Sequence, residues 1–462
     1  MSTLPKPLRF IWGDLSLTEA KRFGLLAAAL MLTLGPYWML RGIREAIFID
    51  LVGLRWQPWG KIASFIFIIP LVLLYSRLVD LFHKEKLFYV IYSIYVLIFL
   101  CVALFVANPQ LSSFSHLSFL DPLLALIPGS LVGWLSYIAF ESFGALAPAL
   151  FWSFVASQVT TDSAKRGYGM IISLTQLGTI GGSLLVANYS QKYGLPLLIV
   201  IATLGIATVP LIITLFTKVN KHEAPETSLT ETSLAEKTEK SMFFRVNKPK
   251  TGFWEGLRLL IKTPYLMGIF VITSGYEIIG TMLEFQMNIL GHEVYPTKEA
   301  FASFYARYGL FANGLALLFA LMGTSFFLRK YGLRVCLLLF PIATAFVITG
   351  TRLFPILPVV FVAMIILKGL SYSLNNPAKE ILYIPTSRDV KFKAKGWIDI
   401  FGARSVKASG SGINAFFSKL APVEMITLAT PILFFIVFAW ITIARFVGNK
   451  HHKLIKYKKI IG

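Results

Sequence analysis

The run Ala164-Lys165-Arg166-Gly167, followed at Gly181-Gly182-Ser183 by a cluster of small residues, has a counterpart later in the chain. There Lys393-Ala394-Lys395-Gly396 is followed by Gly410-Ser411-Gly412. In both copies a basic loop and a glycine precede the small-residue cluster by the same interval, and small residues let neighbouring helices approach closely and slide. Between the copies, from Lys218 to Lys250, the chain runs through Glu, Thr, Ser and Lys with little apolar content, as in Glu226-Thr227-Ser228-Leu229-Thr230-Glu231-Thr232-Ser233. That composition cannot bury a core and reads as a flexible linker. A repeat on either side of a linker predicts two equivalent halves.

The halves are built for a bilayer. Of 462 residues 56% are hydrophobic and 15% charged, and the mean hydropathy is +0.69; a soluble chain would carry about 25% charged residues. Crossing the hydrocarbon core takes about 20 apolar residues. On that basis spans are expected near 23–43, 59–79, 87–107, 134–157, 168–188 and 195–216, then near 264–290, 303–328, 333–351, 355–376, 396–420 and 425–447. The expected fold is an all-α polytopic membrane protein with twelve transmembrane helices in two six-helix bundles related about the membrane normal, a major-facilitator-like pattern. The corresponding domains are an N-terminal bundle (1–217), a cytoplasmic linker (218–258), a C-terminal bundle (259–447) and a basic tail (448–462). The semi-apolar, Pro-rich region 109–130 reads as a re-entrant or interfacial segment.

The net charge of +21 is distributed unevenly. About 31 Lys and Arg fall in the tails and even-numbered loops, about six on the opposite side and about seven within spans, which places both termini in the cytoplasm. Topology therefore accounts for most of the positive charge, and nucleic-acid binding is not called for. The tail with His451, His452, Lys453, Lys456, Lys458 and Lys459 is suited to anionic headgroups. No cleavable signal peptide is visible, and Ser16-Leu17-Thr18-Glu19 has the capping-box pattern that would start the first helix. Cys101 and Cys336 sit in apolar runs and read as small core residues.

Several charges interrupt the apolar runs. A charge at the bilayer centre costs about 3 kcal/mol on insertion scales, so such residues usually face a polar pathway. Arg41, Arg44 and Glu45, in Leu40-Arg41-Gly42-Ile43-Arg44-Glu45-Ala46, share one helical face. Either they end the first span at the headgroups or, because Ile47-Phe48-Ile49 follows, they lie inside a longer helix. Glu141 is isolated within a long apolar region. Glu284, in Met282-Leu283-Glu284-Phe285-Gln286, has Glu277 seven residues earlier on nearly the same face. The densest group runs from Lys368 through Asn375-Asn376-Pro377-Ala378-Lys379-Glu380, where Pro377 frees backbone carbonyls, a feature tolerated where backbone lines a cavity. Arg404 and Lys407 on the eleventh span either bind an anion or snorkel. Both signs of charge inside the membrane point to a cavity that receives a charged solute. Guanidinium groups suit phosphate because their planar fork binds two oxygens at once.

Catalysis has little support. The six histidines, at 83, 116, 222, 292, 451 and 452, fall in expected loops, linker or tail; there is no P-loop and no assembled Ser-His-Asp set. No cofactor is called for, and binding with release fits better than hydrolysis.

The same segments resemble the nucleotide transporter family of ATP/ADP translocases found in obligate intracellular bacteria and plastids. Phe151-Trp152-Ser153-Phe154-Val155-Ala156-Ser157 through Ala164-Lys165-Arg166 is similar to that family's signature, in which Phe-Trp-Gly-Phe-Ala-Asn leads to Glu-Ala-Lys-Arg. Tyr372-Ser373-Leu374 through Lys379-Glu380-Ile381-Leu382-Tyr383-Ile384-Pro385 is a closer match and continues through Lys395-Gly396, Asp399, Gly402-Ala403-Arg404 and the Gly410 cluster. The resemblance implies exchange of ATP for ADP by alternating access without hydrolysis. The family's important charges, a lysine ending the first span, glutamates on the fourth and seventh and a lysine after the tenth, fall on Arg44, Glu141, Glu284 and Lys379. Arg44 stands where these exchangers usually have lysine, Ser163 where the pattern has glutamate, Gly167 where it has phenylalanine, and Asn288 at a position commonly basic.

The substrate-binding residues expected are Arg44, Glu141, Glu284, Lys379, Arg41 and Arg404, with Tyr37, Trp38 and Tyr276 as candidates for stacking a base. The expected partners are ATP and ADP as substrates and a lipid bilayer, with no nucleic acid. The chain is expected to act as a monomer in a bacterial inner membrane. Rival readings are a proton-coupled nucleotide or NAD importer of the same family, an organic-anion or lipid exporter sharing the fold, and a membrane-embedded enzyme or scaffold.

Overall fold

In hydrocarbon every backbone polar group must be satisfied internally, so long apolar runs become helices. A computed structural model describes residues 15–82, 84–108, 110, 127–159, 161–223, 253–322, 324–387, 390 and 394–461. The linker expected at 218–258 lies outside them from 224 to 252, and the segment expected at 109–130 lies outside them at 109 and 111–126. The helices are α1 (Leu17–Leu51), α2 (Gln57–Leu81), α3 (Lys84–Ala107), α4 (Leu131–Gln158) and α5 (Thr161–Glu223). After the linker come α6 (Phe253–Lys262), α7 (Pro264–Val294), α8 (Lys298–Met322), α9 (Thr324–Leu353), α10 (Leu357–Leu370), α11 (Asn376–Leu382), α12 (Ala403–Phe417) and α13 (Pro422–Lys456).

Local sequence explains the boundaries. Ser16 caps α1: its Oγ accepts from the Glu19 amide at 3.1 Å, and the Glu19 carboxylate accepts from the Ser16 amide at 3.2 Å. The fifth and sixth expected spans are one helix, α5, broken at Gly194, and α9 carries the end of the eighth span and the ninth across Gly332. Both breaks occur in the same tetrapeptide, Lys192-Tyr193-Gly194-Leu195 and Lys330-Tyr331-Gly332-Leu333. The glycines take φ of 77° and 75°, a region other residues rarely adopt. The basic run at 164–166, expected as a loop, is instead part of the first turns of α5. In the tenth and eleventh spans the α-helix gives way to π-helical turns at Ser371–Asn375 and Ile398–Gly402. The first lies just before Pro377, which has no N–H to give to the helical ladder.

Within the first half α1 packs on α4 and α5, and α3 on α4 and α5; within the second α7 packs on α10, α12 and α13, and α9 on α10 and α13. The halves meet where α8 lies against α5 and α1, and α12 against α2. The small-residue clusters lie at close contacts. A Cβ on Gly182 would stand 2.2 Å from the Gly35 carbonyl oxygen, and one on Gly410 3.2 Å from that of Ile278.

One end of the bundle is closed across the halves. Leu54, from the connection between α1 and α2, packs into the group of Phe285, Ile289 and Met425 of the second half. Lys298 pairs with Asp50 at 3.4 Å, and the Ser303 and Ser190 hydroxyls donate to the carbonyls of Ala187 at 2.6 Å and Glu299 at 2.9 Å. At the opposite end the tail, expected as a separate segment, continues α13 to Lys456. It is then tied back by Ser387 N donating to the Ile461 carbonyl at 2.7 Å. His451 is buried there against the Ile381 backbone, while the tail lysines stay exposed.

Gly182→Val should lower stability by roughly 1–3 kcal/mol through overpacking. Gly181→Ala, whose Cβ would meet nothing within 4 Å, should leave it unchanged; thermal melting of the purified variants checks both. Burial holds the His451 imidazole below its ordinary pKa of 6.5. The docked tail therefore binds fewer protons than the free tail, and docking is full above pH 6.5 and weakens as pH falls. Amide-exchange protection across 450–461, measured relative to the intrinsic rate at each pH, should fall on acidification, and His451→Gln should flatten that response.

Candidate functional site

Two-turn helical periodicity carries polar side chains from seven helices into one cavity between the halves. α1 supplies Tyr37, Arg41 and Arg44; α2 supplies Lys61 and Ser64; α4 supplies Tyr137 and Glu141; α7 supplies Glu277, Thr281 and Glu284. Tyr308 of α8, Lys368 of α10, and Arg404 and Lys407 of α12 complete the polar wall. Each set repeats at three, four or seven residues, so each helix presents one polar stripe. The void is about 880 Å³, part of it continuous with solvent.

Arg41, Arg44 and Glu45 lie well inside α1, six or more residues before its end, which resolves the choice between headgroup and interior. Arg44 is buried and bridges two carboxylates, Glu45 at 2.5 Å and Glu141. Its guanidinium sits over the Tyr137 ring at 4.7 Å, and Glu45 is held in turn by the Gln57 amide at 2.6 Å. Glu45 thus fixes Arg44 from behind the lining. The second network crosses the halves. Glu284 accepts from Arg41 at 2.8 Å and from Lys61 at 2.7 Å, and the Tyr305 hydroxyl also donates to it. Arg41 lies over the Trp38 ring at 4.8 Å. Deeper in the second half Lys407 pairs with Glu277 at 3.4 Å. Lys368 faces rings instead, 5.1 Å from that of Tyr372 and 5.9 Å from that of Tyr276.

The lining holds six cations, Arg41, Arg44, Lys61, Lys368, Arg404 and Lys407, against three carboxylates, Glu141, Glu277 and Glu284. In a low-dielectric cleft such an excess attracts a multiply charged anion. Of the expected residues, Arg44, Glu141, Glu284, Arg41 and Arg404 are brought together. Lys379 is not part of the lining: it lies on α11 beyond the π turn, within electrostatic reach of Glu277. Tyr37 and Tyr276 line the cavity, whereas Trp38 is taken up by Arg41. Lys61 was not foreseen: in Trp59-Gly60-Lys61-Ile62 a lysine near the start of a span reads as interfacial, and its partner lies 223 residues away.

A family model described as TLC ATP/ADP transporter matches residues 4–361 and 355–451. The chain is 24% identical to ADP,ATP carrier protein 1 of Rickettsia prowazekii (strain Madrid E), covering 97% of this chain and 96% of that protein. It is 23% identical to ADP,ATP carrier protein 5 of the same organism, covering 94% and 95%. Among solved structures it superposes on a POT family transporter in complex with 5-aminolevulinic acid with a TM-score of 0.62 at 10% identity, covering 92% of this chain and 96% of that one. On the nucleoside transporter NupG the TM-score is 0.55 at 13% identity, covering 93% and 99%. These likenesses show a major-facilitator-like fold.

Removing one partner of a buried ion pair leaves an uncompensated charge at a cost of about 3–5 kcal/mol. Glu284→Gln should therefore lower the melting temperature of the purified protein clearly. Arg41→Gln combined with Glu284→Gln should cost less than the sum of the single changes, and strict additivity in that cycle would mean the pair contributes no coupling.

Proposed function

The chain belongs to the TLC ATP/ADP transporter family, and from that premise we propose that it exchanges ATP for ADP across a bacterial inner membrane by alternating access, hydrolysing neither. It is a membrane transporter of nucleotide type and not an enzyme. The observation that carries the exchange reading is the cation-rich cavity, closed on one side by ties between the halves. ATP and ADP carry several negative charges on a flexible chain of phosphates, which matches a wall of dispersed guanidinium and ammonium donors.

With both termini in the cytoplasm, the end bearing Leu54 and Met425 faces outward, and this conformation presents the cavity to the cytoplasm. Arriving phosphates compete with Glu284 for Arg41 and Lys61, and with Glu141 for Arg44. Once Glu284 is displaced, the ion pairs joining α1 and α2 to α7 are lost and the outer side is free to open. The empty carrier keeps those ties, which couples reorientation to occupancy and favours exchange over leak. Glu284 and Glu141 then hold the cations between turnovers and limit how tightly an anion is retained. Lys379, outside the lining in this conformation, engages the phosphates in a later one. The ribose and base are left to Tyr37, Tyr276 and the free carboxylate oxygens.

Uptake of labelled ATP into proteoliposomes should require ADP inside. Uptake without a counter-substrate but dependent on a proton gradient would make the protein a symporter instead. In the same assay Arg44→Ala and Lys379→Ala should each abolish uptake while membrane insertion stays normal; full uptake by either variant removes that residue from the site.

A further inference from the structure

The cations of the cavity are not equivalent. Among the described residues Arg41, Arg44, Lys61 and Lys407 each have a carboxylate within ion-pair distance, whereas Lys368 and Arg404 have none. Both are half-buried and both line the void. Burying a cation without a partner is costly, so such groups are kept where a ligand supplies the missing charge. A second, independent feature marks the same two positions. A π-helical turn lies beside each of them: Ser371–Asn375, three residues after Lys368, and Ile398–Gly402, two residues before Arg404. π turns widen a helix locally and recur at functional sites. Here they interrupt the ladder beside each unpaired cation, on two helices that both pack against α7.

We propose that Lys368 and Arg404 form the polyphosphate-docking subsite of the cytoplasm-open state, the place where a nucleotide's phosphate chain binds before the paired cations of α1 and α2 are recruited. This rests on the nucleotide-exchange reading and specifies its first step. Lys368, between the rings of Tyr276 and Tyr372, offers a compact ammonium. Arg404 offers a planar fork, with Tyr37 of α1 within electrostatic reach. Docking at these two cations comes first because, among the described residues, neither has a carboxylate within ion-pair distance that must be displaced, Glu277 being paired with Lys407. The order is then Lys368 and Arg404, followed by Arg41 and Lys61 as Glu284 gives way.

The test is equilibrium binding of labelled ATP to the purified full-length protein, with inorganic tripolyphosphate and adenosine as competitors. Wild type should bind ATP, tripolyphosphate should compete and adenosine should not. Lys368→Gln and Arg404→Gln should each weaken ATP binding roughly ten- to hundred-fold, the loss expected for one charge-assisted contact. AMP binding should fall much less. Lys368→Arg and Arg404→Lys, which keep the charge, should stay within a few-fold of wild type, so loss in the Gln variants alone reads charge and not misfolding. Wild-type affinity for ATP in both Gln variants would overturn the subsite while leaving nucleotide exchange standing. Adenosine competing as well as tripolyphosphate would overturn the phosphate assignment. Failure of the wild type to bind either ATP or tripolyphosphate would overturn the exchange reading and the subsite with it.

Discussion

Glu284 is the constraint on which the rest of the arrangement depends. One carboxylate on α7 holds Arg41 of α1 and Lys61 of α2, so a single side chain of the second half neutralises two cations of the first. The same contact does two things. It lets a positive cavity exist inside a bilayer without an uncompensated pair of charges, and it ties the halves together on one side of that cavity. An anion that competes for either cation therefore acts on the gate at the moment it binds. On the proposed exchange reading no separate relay between site and gate is required, because the cations proposed to bind the anion are the ones that close the halves.

The packing around this contact keeps the choice discrete. Leu54 against Phe285, Ile289 and Met425 closes one end by apolar contact, and α8 packs on α1 and α5 at small residues, Ala302 against Gly42 and Gly309 against Ser183. Close-packed interfaces of this kind change by rigid displacement and not by gradual deformation. Gly129 belongs to the same scheme. Its φ is 69°, and a Cβ there would stand 2.6 Å from the Leu51 carbonyl oxygen, so only glycine lets the start of α4 lie directly on the end of α1. α1, which carries three of the lining side chains, is thereby fixed at its C-terminal end against the helix that carries Glu141 and Tyr137.

How much of this was legible in the sequence follows from which interactions are local. The spans, the capping box at Ser16 and the intramembrane charges Arg41, Arg44, Glu141 and Glu284 were readable because hydrophobic length and the cost of a buried charge act residue by residue. The repeated basic and small-residue pattern was readable for the same reason, and it marked the close contacts at Gly182 and Gly410. Partnership was not readable. Lys61 looks interfacial in its own neighbourhood, and only the fold sets it against Glu284. Lys379 sits in the most recognisable motif of the chain, yet the π turn at Ser371–Asn375 separates α11 from α10, and the cavity takes Lys368 from before the turn. An extra residue in a helical turn shifts everything beyond it around the axis, and neither hydropathy nor spacing reports where that happens.

The asymmetry between the halves is the last consequence. The first half contributes Arg41, Arg44 and Lys61, every one of them paired in this conformation, and Arg44 is held twice over by Glu45 and Glu141. The second half contributes the carboxylates Glu277 and Glu284, Lys407 paired with Glu277, and Lys368 and Arg404, which have no ion-pair partner among the described residues. Paired cations are rigid and need a competitor to release them; unpaired ones beside widened helical turns are available at once. If both halves carried free cations, an anion would bind without disturbing the ties, and occupancy would have no effect on orientation. If both carried only paired ones, the first encounter would have to break an ion pair with nothing yet gained in return. In the proposed order, two cations without an ion pair among the described residues facing a tied set avoid both outcomes, because the energy of the first contact is available to displace Glu284 in the second.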